Sequence, residues 1–189
     1  ISIKFGSSDQ LGTISNAKLW ADYIYLDTDE RRRFAQVSHE YLIEQVQYAS
    51  LTGKTLDLTF NHPVKELVWT QAGSGVTEAT PGAIGTIGTD TWTLKLNGHD
   101  RLAARDVSYF SKVQVWQHHT GTPVALGTAG AGKAATNTIG VYSFALKPEE
   151  HQPSGTCNFS RIDIAQLMKT SGGGESIHIY AVNYNVLRI

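Results

Sequence analysis

The chain has 189 residues, with 16 Lys+Arg against 17 Asp+Glu and a formal net charge of −1. Hydrophobic residues make up 41% and charged residues only 17%, against roughly 25% charged in an average globular domain. That composition excludes a disordered chain and a globally basic nucleic-acid binder, and no apolar run approaches the ~18 residues that cross a bilayer. The length fits one domain that can bury a core without a disulfide or metal staple. Cys157 stands alone, so no internal disulfide can form and a thiolate zinc site lacks ligands. A lone cysteine leans towards a reducing folding compartment. The start at Ile1 and the strand-like end at Ile189 read as a piece of a longer protein.

Leu19 to Leu26 (LWADYIYL) is a nearly continuous apolar run and reads as a strand with aromatic residues on both faces. Asp27 to Phe34 reads as one or two helical turns. Asp27 or Thr28 can accept from free first-turn N–H groups, Asp27 and Glu30 have capping-box spacing, and acids precede arginines as the helix dipole prefers. Tyr41 to Gln47 is a mixed strand, with a short amphipathic helix as its rival. Leu56, Leu58 and Phe60 alternate with Asp57 and Thr59, the pattern of a half-buried strand. Pro63 interrupts pairing and predicts a corner before Val64 to Trp69.

Residues 72–90 are rich in Gly, Thr, Ala and Ser and read as a loop. Thr91 to Asn97 alternates Trp92, Leu94 and Leu96 with Thr93, Lys95 and Asn97. A helical turn is expected around Arg101 to Asp106 and a strand around Val113 and Val115. Residues 121–140 form a second Gly-rich loop, and both loops should project from one end of the fold, as long loops tend to be functional. Val141 to Leu146 and Ile162 to Leu167 are further strands. Pro153 suits the second position of a β-turn that Gly155 closes. Near the end, Tyr180, Val182, Tyr184 and Val186 share the face expected to meet the core, with Asn183 and Asn185 opposite. Tyr142, Phe144, Tyr180, Tyr184 and Trp69 are expected to fill the space between two sheets. About eight to ten strands at such spacing indicate a sandwich or barrel.

Motifs for chemistry are weak. Gly127 and Gly132-Lys133 have the separation of a phosphate loop, but Ala134 stands where a hydroxyl belongs and no βαβ unit surrounds it. A projecting loop is the better reading. His118-His119 would point to opposite strand faces and could hardly grip one ion, and no carboxylate pair lies at ligand spacing beside them or His99. No Gly-x-Ser-x-Gly elbow is present. Glu149-Glu150 and Asp29-Glu30 lie in polar turns, where both carboxylates should stay solvated. Arg31-Arg32-Arg33 is the one basic cluster, a candidate subunit contact or simply a solvated helix end. Asn158-Phe159-Ser160 is a formal glycosylation sequon, with Asn158 as the possible acceptor. Arg161 and Arg188 should be paired or at a rim, because an unpaired buried charge is costly.

Four blocks carry a family resemblance. DYIYLDTDERRRFA from Asp22 to Ala35 leads into HEYLIEQ from His39 to Gln45. FNHPVKELVW runs from Phe60 to Trp69. YSFALKP from Tyr142 to Pro148 is followed by QPSGTCNFSR from Gln152 to Arg161. YAVNYNVLRI closes the chain from Tyr180 to Ile189. In these blocks the chain resembles the major capsid protein of large icosahedral double-stranded DNA viruses, the iridovirus and algal-virus group.

The resemblance implies an all-β, antiparallel β-sandwich of jelly-roll type with one or two short helices. It implies that residues 1–189 are a single jelly roll, the C-terminal half of a double jelly-roll chain. It further implies a structural subunit rather than an enzyme, without cofactor or metal, forming homotrimers of pseudo-hexagonal outline. Its partners would be itself, neighbouring capsomers and minor capsid proteins, with no direct nucleic-acid contact and no transmembrane segment. The place would be the virion capsid, assembled in the host cytoplasm. Sparse charge suits a surface largely covered by further copies. Two other classes remain open: a carbohydrate-binding β-sandwich module using Trp20, Trp92 or Trp116 as a sugar platform, and an enzyme on the same scaffold, which would need polar groups converging in a cleft.

Overall fold

The computed structural model describes residues 18–72, 84–85, 87–88, 90–121, 137–170 and 174–189. A helix, α1 (Thr28–Gln36), precedes ten strands: β1 (Glu40–Thr52), β2 (Thr55–Asp57), β3 (Pro63–Ala72), β4 (Ile84–Gly85), β5 (Thr91–Leu96), β6 (His99–Asp106), β7 (Ile139–Ser143), β8 (Cys157–Asn158), β9 (Ala165–Lys169) and β10 (Ser176–Arg188). Between β6 and β7 lie a π-helical stretch, Tyr109–Val113, and α2 (Gln114–His118); a 3-10 turn, Phe159–Arg161, follows β8.

The strands form two antiparallel sheets. One has the order β1-β10-β3, with β7, β8 and β4 sharing the far edge of β3; the other has the order β2-β9-β5-β6. The chain crosses between them repeatedly: β1 in the first, β2 in the second, β3 back in the first, β5 and β6 in the second, β7 in the first, β9 in the second, β10 in the first. This is the jelly roll that the resemblance implied.

The core lies between the sheets. Leu67, Trp69, Ile177 and Ile179 face Leu56, Trp92, Leu94 and Leu167, all fully buried. Trp69 stands 5.6 Å from Trp92 and 5.2 Å from Phe110, ring centre to ring centre. Each such aromatic removes about 150–250 Å² from water, roughly 4–6 kcal/mol at the usual 25 cal/mol per Å². Gly140 on β7 pairs with Trp69 and leaves room for its indole. Asn97 and Gly98 both have positive φ (51° and 78°), the twist a tight β5–β6 hairpin needs. Asn97 Oδ1 also accepts from the backbone N–H groups of Asp163 and Ile164, fastening the hairpin to the start of β9.

Several expectations need correction. Leu19 to Leu26 forms no strand pairing and stays exposed. Arg101 to Asp106 belongs to β6, because the Asn97-Gly98 turn folds it onto β5. Val113 and Val115 lie in helix: Val107, Phe110, Ser111 and Gln114 are the buried positions, the helical spacing of i, i+3, i+4 and i+7. On β10 the core face is Ile177, Ile179, Ala181 and Asn183, opposite to the predicted one. Tyr180 and Tyr184 therefore point away from the space between the sheets, Tyr180 exposed and Tyr184 still buried, with Lys65 over its ring. The strand expected at Val141 to Leu146 ends at Ser143, and the one expected at Ile162 to Leu167 is Ala165–Lys169. The loop at 72–90 contributes Ile87 to the core and β4 to the first sheet. The phosphate-loop segment, Gly127 to Thr136, lies outside the described residues.

Candidate functional site

Among the described residues the feature that departs most from an ordinary sandwich is the outward face of the first sheet. The β1–β10 register sets Leu42 beside Val186, Val46 beside Val182 and Tyr48 beside Tyr180. Leu42, Val46, Tyr48, Tyr180 and Val186 are exposed. This apolar stripe is ordered by its polar atoms. Tyr48 Oη lies 2.6 Å from His178 Nδ1, the two tyrosine rings are 5.1 Å apart, and Ser50 and Ser176 hydroxyls meet at 2.9 Å. The outer edge of β1 pairs with no strand among the described residues. An unpaired edge beside an apolar face is a surface suited to another protein.

One end of this face carries a charged cluster built by a β-bulge. The register of β3 against β10 shifts between Val182 and Asn183, so that Glu66 pairs with Val182 and Val64 with Asn183. Lys65 is the extra residue, and the bulge turns it and Glu66 outward together. Lys65 Nζ lies 2.8 Å from Glu44 Oε1 and 5.5 Å from the centre of the Tyr184 ring. Its carbonyl accepts from the N–H groups of Phe144 and Ala145, which holds the segment after β7 over the sheet. His151 Nδ1 approaches Glu44 at 3.7 Å from the same segment.

His119, just beyond α2, sits between two carboxylates. Its Nε2 is 3.1 Å from Glu66 Oε2 and its Nδ1 is 3.0 Å from Glu149 Oε1. The approach to Glu66 is one of proximity alone, since neither His119 Nε2 nor Glu66 Oε2 has a hydrogen-bond partner among the described residues. Burial pushes the Glu66 carboxyl above its usual range, opposed by His119 and Lys65. Glu149 is held below it by hydrogen bonds from the hydroxyl and backbone N–H of Thr120. A cavity of about 250 Å³ opens beside them, lined by His118, Thr120, Leu146, Lys147 and Glu150 among others. The one hydroxyl in the cluster, that of Thr120, donates to Glu149, while His119 Nδ1 meets the other oxygen of the same carboxylate. The two nitrogens of His119 diverge towards different carboxylates, and no metal-holding group of His, Cys, Asp and Glu occurs among the described residues.

Arg31, Arg32 and Arg33 lie on α1, exposed; among the described residues only Arg32 is near a carboxylate, 3.9 Å from Asp29. The structure brings them to no other candidate. Asn158 is exposed, but its Oδ1 accepts from the Ser160 N–H while the Ser160 hydroxyl accepts from the His62 N–H. Trp20 and Trp116 are exposed, whereas Trp92 is a core residue and offers no sugar platform. Glu149 is not a free turn carboxylate as expected, and His119 is not on a strand; α2 delivers it to Glu66. Arg188 pairs with Glu40 and Arg161 is exposed. The bulge was missed, yet Val64 and Leu67 break the two-residue parity of their strand, and that is its signal.

Comparison with known proteins bears on this arrangement. The model of the large eukaryotic DNA virus major capsid protein family matches residues 30–189. The chain belongs to that family. The major capsid protein of Pyramimonas orientalis virus is 47% identical over 210 residues, covering 100% of this chain and 52% of its own length. That of Paramecium bursaria Chlorella virus 1 is 37% identical over 236 residues, covering 90% of this chain and 51% of its own. Among solved structures, PBCV-1 VP54, a crystal structure fitted into a reconstruction of the virophage Sputnik, superposes with a TM-score of 0.67 at 35% identity, covering 88% of this chain and 53% of that one. The chain thus spans about half the length of its capsid-protein relatives.

Proposed function

We propose that the chain is the C-terminal jelly roll of a double jelly-roll capsid subunit, which acts by assembly and catalyses nothing. The observation that carries this is the match of a family of capsid proteins across residues 30–189, on a chain half the length of its relatives. Three such subunits form a pseudo-hexagonal capsomer, and capsomers tile the virion shell, with assembly in the host cytoplasm and minor capsid proteins at the joints. The apolar stripe of β1 and β10 and the unpaired β1 edge supply covered area. The charged cluster around His119 holds the segment after β7 in place over the sheet.

Arg31, Arg32 and Arg33 are the polar rim of a subunit contact in this reading, since arginine is favoured at interfaces and these three stand clear of the jelly roll. Asn158 serves as a cap for the 3-10 turn through its Oδ1, while the Nδ2 that a glycan would join is a different atom. The test is the mass of the purified full-length polypeptide in solution. The reading expects three times the subunit mass. A monomer that persists at high protein concentration would overturn it.

A further inference from the structure

Residues 18–37 bury little against the jelly roll; α1 touches it at His39, whose ring stacks on Phe34 at 4.7 Å and whose Nε2 lies 3.2 Å from the Phe34 carbonyl. His39 N–H donates to the Ile189 carbonyl and Ile189 N–H donates back to His39, so the sandwich closes on itself at His39. Upstream of that closure, α1 buries none of its residues. From Leu19 to Leu26 the backbone pairs with no strand among the described residues, and Trp20 is 87%, Ile24 88% and Tyr25 92% exposed. Apolar side chains occupy both parities: Trp20, Ile24 and Leu26 on one, Leu19, Tyr23 and Tyr25 on the other. A surface strand reads apolar on one face only. Two apolar faces belong to a strand that is covered on both. Soluble proteins rarely leave so large a contiguous apolar surface to water.

The jelly roll of β1 to β10 has no vacancy between its sheets for this segment, because the core there is already filled by Trp69, Trp92 and Phe110. The family model opens at residue 30, inside α1, while the Pyramimonas orientalis virus relative aligns with the whole chain and extends to about twice its length. Residues 18–26 therefore lie outside the unit that the family model describes, yet within the similarity to the longer protein.

We infer that residues 18–26 are a sheet strand of a second folded body, the other jelly roll of the same polypeptide, and that α1 is the link between the two. The inference rests on the double jelly-roll reading and adds to it where the boundary falls: the strand is contributed to the neighbour, and the jelly roll described here begins at His39. One apolar face meets the neighbour's core; the other is covered by whatever packs against that sheet. Arg31 to Arg33 then lie at the seam between the two bodies.

Hydrogen exchange read by mass spectrometry tests this on the full-length polypeptide and on this 189-residue chain. Amides of residues 19–26 should exchange about a hundredfold more slowly in the full-length protein than in this chain, where they pair with no strand among the described residues. In the full-length protein Ile24→Asp should abolish that protection. The same substitution in this chain should leave exchange in β1 to β10 unchanged, which separates loss of docking from loss of folding. Fast exchange of residues 19–26 in a full-length protein that shows a second protected body would overturn the inference and leave the double jelly-roll reading standing. A full-length protein with no second protected body would overturn both. Protection that appears in this chain alone and rises with its concentration would overturn the inference in favour of a second copy as the partner.

Discussion

Gly140 is the position where a single methyl group should do most harm. A Cβ built there lies 2.4 Å from Cε2 and 2.6 Å from Cζ2 of Trp69. Carbon atoms prefer about 3.5–4.0 Å, so the overlap exceeds an ångström. Trp69 has nowhere to retreat, being fully buried with Trp92 and Phe110 against it. β7 is fixed in turn by five paired positions on β3, from Ile139 opposite Thr70 to Ser143 opposite Glu66. Overpacking of this kind costs about 1–3 kcal/mol, and for a chain of this size each kcal/mol lowers Tm by roughly 2–4 °C. Gly140→Ala should therefore lower Tm by roughly 4–8 °C near the middle of that range, with altered near-ultraviolet dichroism from the displaced indole. Gly98→Ala is the control: no atom lies within 4 Å of its Cβ, but φ is +78°, so it should cost about 1 kcal/mol through the backbone alone and leave the indole signal unchanged. A Gly140→Ala protein that melts within about 1 °C of the parent would refute the packing argument.

Three further outcomes follow from other parts of the structure. Glu66 has a folded-state pKa above its unfolded value, so its ionisation penalises the fold as pH rises through that folded pKa and costs nothing below about 4.5. Glu66→Gln removes the penalty: its Tm relative to the parent should be higher at pH 8 than at pH 4, and equal offsets at both pH values would sink the assignment. Asn183 is fully buried, and its amide takes a hydrogen bond from Gln47 and gives one to the Tyr184 carbonyl. Asn183→Ala should cost about 1–3 kcal/mol by urea unfolding, and an unchanged midpoint would show the network to be idle. Burial pushes the Cys157 thiol up, so alkylation at pH 8 should be slower than for a free thiol and reach the free-thiol rate in denaturant. Equal rates before and after unfolding would contradict its placement.

The sandwich was legible because alternation survives wherever one face meets the core. Leu56, Trp92 and Leu94 were placed correctly by parity alone, and Asp27 marked the start of α1. Parity failed where apolar residues sit on both faces. On β10 the outward Tyr180, Val182 and Val186 are as apolar as the inward Ile177 and Ile179, and Asn183, the residue that looked solvent-facing, is buried by its hydrogen bonds. Leu19 to Leu26 misled in the same way, because its apolar character answers to something other than this core. The His119 trio was invisible for a different reason. Glu66, His119 and Glu149 are far apart in sequence and are joined only by a bulge, a helix end and a loop. Adjacent charges at Lys65 and Glu66 in mid-strand were the trace of it.

The most direct test is a cryo-EM reconstruction of the particle that the purified full-length polypeptide forms. The proposal predicts three copies with a pseudo-hexagonal outline, each holding two jelly rolls, one of which follows the β1-β10-β3 and β2-β9-β5-β6 sheets described here. A reconstruction showing a single copy, or copies arranged without that outline, would contradict it.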